Sequence, residues 1–254
     1  MRRLGAAGLA MSAVLAAVSS ACAGGEAAPK DSAGATATPS GSGEAVAATP
    51  NGGTGAAAST GPLRVVFVGT SLTAGLGLDP DSAYPALIQR KADAAGVPIT
   101  VVNAGVSGET SAGALRRIDW VLREPLDVLV LETGANDGLR ALRVDSTREN
   151  LAAIVARTRR THPGARVVIV QMEAPPNLGP DYTGRFRAMF PEVARSAGAT
   201  LTPFLLDRVA GVARLNQGDG IHPNEAGARI VAETVWGALR PVLDSARATR
   251  AAGG

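Results

Sequence analysis

Beyond about residue 62 the chain alternates between two patterns of apolar and polar positions. Short, continuous apolar runs are typical of strands buried on both faces. They occur at Arg64 to Gly69, Ile99 to Asn103, Val128 to Thr133, Val167 to Gln171 and Thr200 to Pro203. Helical spacing separates them at Tyr84 to Ala95, Ser111 to Leu122, Ser146 to Arg160, Tyr182 to Ala197 and Asn224 to Leu239. This alternation predicts an α/β domain over residues 62–243, with a central parallel sheet of about five strands between helical layers.

The start of the third long helix has a local signal of its own. Ser146 and Glu149 have the Ser-x-x-Glu spacing of a capping box, in which each side chain bonds to the backbone N–H of the other residue. The spacing therefore predicts that this helix begins at Ser146. Residues 244–254, beyond the last predicted helix, are expected to form a flexible tail.

The segment before the domain has a different composition. Residues 1–23 combine Arg2 and Arg3 with an apolar stretch and then small residues, which is the layout of a signal peptide. Residues 24–61 are rich in Gly, Ala, Thr and Pro and offer little apolar surface to offset their ordering entropy. We expect a disordered segment there, either a tether or a remnant without an anchoring role.

Cys22 decides between two export routes. It is the only cysteine in the chain and lies where a bacterial lipoprotein carries its lipid, although Ser19 replaces the usual leucine. Ala21 to Ala23 also satisfies the small-residue rule for ordinary signal cleavage. The protein is expected to be exported, as a periplasmic or membrane-anchored lipoprotein with lipidated Cys22 or as a soluble secreted protein.

Composition excludes several classes of function. The chain has a formal net charge of +3 but no dense basic run with interleaved aromatic residues, so no nucleic-acid partner is expected. A single cysteine excludes an internal disulfide, a cysteine-rich zinc site and a cysteine nucleophile in the domain. There is no recognisable metal cluster, and we expect no metal, no cofactor and a monomer.

Ser71 is the candidate nucleophile. It follows the first apolar run at Gly69 and Thr70, so a buried strand would deliver its hydroxyl to a sharp turn at the end of the sheet. A serine hydroxyl is too weak an acid to attack a carbonyl without a base and a group that orients the base.

Asp219 and His222 can supply those two groups. They are three residues apart in a loop that leads into the last helix, so the carboxylate can hold one ring nitrogen while the other faces a hydroxyl. The chain has two histidines, and His162 lies at a predicted helix end before a Pro-Gly breaker, which indicates a structural or surface role. Ser71, His222 and Asp219 therefore form a candidate catalytic triad.

Gly105 and Asn136 are candidate donors for an oxyanion. Gly105 follows the second strand, where a backbone N–H can approach a ligand without a Cβ in the way, and Asn136 follows the third and carries an amide donor. Taken alone, each residue is more typical of an ordinary turn. All the candidate residues follow carboxyl ends of predicted strands, which is where parallel sheets bind their ligands.

Four segments together resemble the SGNH hydrolases, also called GDSL esterases and lipases. They are Gly69-Thr70-Ser71-Leu72, Asn103-Ala104-Gly105, Gly134-Ala135-Asn136-Asp137 and Asp219-Gly220-Ile221-His222-Pro223. The resemblance covers about residues 63–243 and is strongest to the arylesterase, acyl-CoA thioesterase and lysophospholipase branch.

The resemblance implies a three-layer, flavodoxin-like fold and a role for each residue. It makes Ser71 the nucleophile, His222 the base and Asp219 the orienting acid, with the Ser71 and Gly105 N–H groups and the Asn136 side chain as oxyanion donors. One position departs from the family pattern, because Thr70 replaces the usual aspartate before the serine. Threonine can still bond to the turn but carries no charge.

The leading hypothesis is a metal-free serine esterase for small or medium acyl esters, with thioesters and lysophospholipids as further substrates. A carbohydrate O-acetylesterase on the same fold is the first alternative, and the 3% content of aromatic residues argues against it. A catalytically silent surface-binding module is the second, disfavoured because all the catalytic residue types are present.

Overall fold

A computed structural model of the protein describes residues 61–252. The predicted signal peptide, Cys22 and all but the last residue of the predicted 24–61 segment lie outside the described residues. No helix within residues 61–252 is both long enough and apolar enough to cross a bilayer.

The five predicted strands form one parallel sheet in the order β2-β1-β3-β4-β5. Their bounds are β1 Leu63–Gly69, β2 Ile99–Gly105, β3 Val128–Leu131, β4 Arg166–Gln171 and β5 Thr200–Phe204. This is the strand order of flavodoxin-like sheets, which change winding direction between the first and third strands. The central strands are almost wholly buried, as their continuous apolar runs predict.

Helices cover both faces of the sheet. They are α1 Ser71–Ala74, α2 Tyr84–Ala94, α3 Ser111–Val121, α4 Ala135–Leu139, α5 Val144–Thr161, α6 Pro180–Ser196 and α7 Glu225–Ala252. On one side α2 packs against α7, and on the other α5 packs between α3 and α6. The chain reverses winding direction after β2, which sends α3 to the face opposite α2.

The capping-box prediction is wrong. α5 begins at Val144 after Arg143, two residues before Ser146, and no side chain caps it. Val144 is buried, and the Thr147 hydroxyl donates to the carboxylate of Asp137. Tertiary contacts of the first turn therefore outweigh the local signal.

The predicted flexible tail is helical as far as Ala252. α7 continues through Pro241, because Leu243 and Ala246 are buried against the domain. The Arg250 guanidinium pairs with Asp127 and donates to the Gly61 carbonyl at 2.9 Å. These contacts make residues 244–252 part of the fold.

Candidate active site

Ser71 lies at the junction of β1 and α1. It is the first residue of this one-turn helix, and Thr70 is the N-cap, with its side chain accepting from the Leu72 N–H. Gly69 is required for this tight turn, since a Cβ there would lie 1.9 Å from the Thr73 hydroxyl oxygen. Ser71 is 9% exposed, so its hydroxyl reaches the edge of the sheet from a fixed backbone.

His222 and Asp219 meet Ser71 from the loop before α7. The His222 Nε2 lies 2.9 Å from the Ser71 Oγ, and its Nδ1 lies 2.6 Å from an Asp219 carboxylate oxygen. The other Asp219 oxygen accepts the backbone N–H groups of Ile221 and His222. The structure thus brings His222 and its neighbour Asp219 to Ser71, although 151 positions separate Ser71 from His222.

The electrostatics of this pair suit a general base. Hydrogen bonds from the His222 ring and from the backbone N–H groups of His222 and Ile221 hold the pKa of the Asp219 carboxyl below its usual range. An ionised Asp219 accepts the Nδ1–H, which leaves Nε2 of the neutral ring free to accept the Ser71 hydroxyl proton.

Asn136 lies beside the nucleophile on α4 rather than in a simple turn. Its Nδ2 donates to the Glu109 carbonyl at 3.0 Å, which uses one of the two amide hydrogens. The side chain shares a cavity wall with Ser71 and His222. The second hydrogen can therefore serve a ligand in that cavity.

The structure corrects the assignment of Gly105. The Gly105 N–H donates to the Asn103 side chain at 3.0 Å, and a Cβ at Gly105 would strike the backbone of α1, 2.3 Å from the Ala74 nitrogen. Gly105 therefore lets strand and helix pack closely and does not line the cavity.

Gly108 is the glycine that reaches the site. It lines the cavity with Ser71 and Asn136 and has a φ of 76°, which favours glycine. Within residues 61–252 the N–H groups of Ser71 and Gly108 make no hydrogen bond, so both are available. Sequence reasoning missed Gly108 because backbone direction in a loop has no residue signature.

Asp137 was not predicted to have a separate role, and the structure gives it one. Its buried carboxylate accepts the Ser111 N–H and the hydroxyls of Ser111 and Thr147. It thereby joins α4 to the beginnings of α3 and α5. Asn136 is held by this neighbour on a rigid element.

Glu132 is a second feature that the sequence analysis missed. It directly follows β3, is fully buried, and accepts the Thr70 N–H at 2.8 Å and the Thr70 and Thr73 hydroxyls. Thr73 also bonds to the buried Tyr84 hydroxyl at 2.8 Å. The threonine that departs from the family pattern thus bonds to a carboxylate behind the nucleophile turn. The sequence signal that could have identified Glu132 is a single acidic residue directly after an apolar run.

Glu132→Gln is expected to remove a pH dependence of stability. Burial raises the pKa of Glu132 from 4.5 to about 7, against the opposing effect of its hydrogen bonds with Thr70 and Thr73. Between these values the unfolded chain releases the proton while the folded protein keeps it, so folding stability falls as pH rises. The free energy of unfolding of the wild type, minus that of the variant, should fall by on the order of 3 kcal/mol from pH 4.5 to 7.

Urea unfolding of both proteins at several pH values measures this difference. The exposed Glu124 provides a matched control, because Glu124→Gln should give a difference that is nearly constant with pH. The expected ionisation of Glu132 would be contradicted if the difference in unfolding free energy between wild type and Glu132→Gln rises or stays level as the pH rises.

An apolar cavity of about 590 Å³ opens beside the triad. Its walls include Leu72, Leu76, Leu139, Met172, Phe204 and Ile221. Leu76, Leu139 and Ile221 are about half exposed and all line this one cavity, and such clustering of exposed apolar side chains is typical of a ligand-binding surface. The volume is within the usual range of small-molecule sites.

The remaining titratable candidates lie elsewhere. His162 caps the end of α5, and its Nε2 bonds to the Leu122 carbonyl at 3.0 Å, in agreement with the predicted structural role. Among the described residues no cluster of three or more His, Cys, Asp or Glu side chains could hold a metal ion.

The chain matches a known protein family over most of the domain. The profile described as "GDSL-like Lipase/Acylhydrolase family" matches residues 67–230, which contain all the triad residues. The chain belongs to this family. It is therefore a hydrolase of the SGNH/GDSL class, as the four sequence motifs imply, and the three-layer fold is confirmed.

Relatives in the family carry related names. Esterase TesA of Pseudomonas aeruginosa is 40% identical over 189 residues, which is 74% of this chain and 91% of that protein. The Escherichia coli protein named thioesterase 1/protease 1/lysophospholipase L1 is 33% identical over 74% of this chain and 87% of its own length. These names agree with the branch inferred from the motifs.

Two solved structures superpose on the domain. A crystal structure of TesA, 38% identical, has a TM-score of 0.67 and aligns over 70% of this chain and 98% of its own. The esterase EstA from Pseudoalteromonas sp., in a structure inhibited by monoethylphosphonate, is 32% identical with a TM-score of 0.67, covering 71% and 98%.

Proposed function

We propose that this protein is a serine esterase that cleaves aryl and short-to-medium acyl esters, and also thioesters and lysophospholipids, through an acyl-enzyme. The observation that best supports the proposal is the unbroken hydrogen-bonded chain from Ser71 through His222 to Asp219. It stands at the mouth of an apolar cavity, where an acyl group can bind.

Acylation begins with attack by the Ser71 Oγ on the ester carbonyl. His222 Nε2 takes the hydroxyl proton, and Asp219 stabilises the resulting imidazolium. The tetrahedral oxyanion accepts hydrogen bonds from the Ser71 and Gly108 N–H groups and the Asn136 amide. Collapse then breaks the ester bond, and His222 returns the proton to the departing alcohol or thiol.

Deacylation repeats these steps with water. His222 takes a proton from water, whose oxygen attacks the acyl-enzyme carbonyl through the same oxyanion site. The carboxylic acid leaves as Ser71 regains its proton. All proton transfers use His222, and no metal takes part.

A panel of p-nitrophenyl esters tests the function on the purified protein. If the apolar cavity binds the acyl chain, kcat/KM should rise on the order of 10²-fold from acetate to octanoate, because added methylenes leave water. A preference for acetate, accompanied by release of acetate from acetylated xylan, would instead support the O-acetylesterase alternative. Absence of all hydrolysis would support a binding module.

We also propose that the protein is exported and monomeric. Support for export comes from the signal-like residues 1–23, with Cys22 as the candidate lipid attachment site. The mass of the mature amino terminus tests this: diacylated Cys22 indicates an anchored lipoprotein, whereas an unmodified terminus beyond Ala23 indicates a secreted protein.

A further inference from the structure

A second cleft, of about 450 Å³, adjoins the catalytic cavity. Its walls are the loop 106–110, the side of α3 that carries Arg116 and Arg117, and Arg140, which directly follows α4. Gly108 lines both this cleft and the catalytic cavity. A group bound in the cleft would therefore lie next to the oxyanion donors.

The cleft carries an excess of positive charge. Glu109, whose side chain is 9% exposed, forms a two-point ion pair with Arg117, so these two charges offset one another. Arg116 and Arg140 are exposed and have no acidic partner within residues 61–252. The Arg140 guanidinium makes one hydrogen bond, at 3.1 Å to the Gly108 carbonyl, and retains further donors.

The amino-terminal end of α3 borders the cleft but is already capped. Thr110, the N-cap of the helix, and Gly113 in its first turn both line the cleft. Helix N-termini carry a partial positive charge that favours anions. Here the buried Asp137 carboxylate accepts the Ser111 N–H and the Thr110 hydroxyl accepts the Gly113 N–H, so the positive charge of the cleft comes from the two arginines.

Apolar and basic walls meet at the catalytic residues. Leu139 lines the apolar cavity, and Arg140, the next residue, lines the basic cleft. The Asn136 amide, in the wall of the apolar cavity, donates to the carbonyl of Glu109, in the wall of the basic cleft. A ligand that spans the two cavities needs an apolar tail, a carbonyl at Ser71 and an anionic head.

We infer that the basic cleft is a leaving-group subsite in which Arg116 and Arg140 bind the phosphate of an acyl ester or thioester. This inference rests on the proposed esterase function of Ser71. Guanidinium groups match phosphate oxygens with paired, charge-assisted hydrogen bonds, whereas a neutral alcohol gains nothing from them. The phosphate can come from a lysophospholipid or from coenzyme A.

Two matched substrate pairs test the inference. Octanoyl-CoA is compared with octanoyl-N-acetylcysteamine, its neutral thioester counterpart, and octanoylglycerol phosphate with neutral octanoylglycerol, all below their critical micelle concentrations. In the Arg116→Gln/Arg140→Gln double variant, the KM ratio of anionic to neutral substrate should rise about tenfold, because two charge-assisted contacts are lost.

Arg160→Gln is the matched control. Arg160 is exposed in the last turn of α5, which leads to the amino end of β4 and away from the carboxyl ends that carry the site. Its removal should leave both KM ratios near the wild-type values. In addition, raising salt from about 20 to about 300 mM should increase the ratio in the wild type and change it little in the double variant.

Each outcome is decisive. A rise of the KM ratio in both substrate pairs supports a general phosphate subsite. A rise for octanoylglycerol phosphate alone assigns the subsite to lysophospholipids, and a rise for octanoyl-CoA alone assigns it to coenzyme A. Unchanged KM ratios, or a rise equal to that in Arg160→Gln, overturn the subsite. In that case hydrolysis of the neutral substrates by the wild type still supports the esterase function. Failure of the wild type on all four substrates overturns both.

Discussion

Ser71→Ala is expected to lower kcat for ester hydrolysis by on the order of 10⁵–10⁶-fold, because it removes the attacking oxygen while the other triad members cannot replace it. Ser71 is nearly buried, but alanine suits the first turn of α1 and keeps the backbone N–H groups. The fold should therefore persist. Stopped assays with p-nitrophenyl butyrate at high enzyme concentration measure the residual rate, and circular dichroism confirms folding.

A phosphonate ester provides an independent readout of the same residue. In the wild type it should add one phosphonyl group to Ser71, located by peptide mass spectrometry, and the variant should stay unlabelled. Ser245→Ala, on the exposed side of α7, is the control and should retain full activity and full labelling. A folded Ser71→Ala protein that keeps more than about a tenth of wild-type kcat would refute the nucleophile assignment.

Asn136→Ala is expected to lower kcat about 10²–10³-fold, equivalent to about 2.7–4 kcal/mol, with little change in KM. The reason is that the charge bound by its amide exists only in the transition state. Separate measurement of kcat and KM, together with the melting temperature, checks this result.

Asn136→Asp separates catalysis from packing. The carboxylate keeps the size of the amide but cannot donate a hydrogen bond and repels an oxyanion, so kcat should fall at least as far as in the alanine variant. Loss of the bond to the Glu109 carbonyl can lower stability in both variants. An Asn136→Ala protein that is destabilised yet has normal kcat in its folded fraction would contradict the oxyanion role.

The strand pattern was readable because parallel buried strands must be apolar on both faces. All five strands lie where the runs predict them, and helices Tyr84–Ala94 and Ser111–Val121 differ from the predictions by a residue at one end. Helix ends were less predictable. The start of α5 depends on the Thr147–Asp137 bond, and the end of α7 depends on Leu243, Ala246 and Arg250. These contacts join separate elements, across 10 positions for Thr147 and Asp137 and across 123 positions for Arg250 and Asp127.

Ser71, His222, Asp219 and Asn136 could be named from the sequence because their chemistry requires particular side chains after strands or in one short loop. The sequence by itself thus determined the α/β class, the family and these residues. Only the tertiary structure separates Gly105, whose N–H bonds to the Asn103 side chain, from Gly108, which lines the cavity. It alone placed Glu132 behind Thr70, because β3 lies next to β1 in the sheet although 62 positions separate the two residues. Side-chain chemistry can be inferred from the sequence, whereas the lining of a cavity and the partner of a buried acid are set only when distant segments pack together.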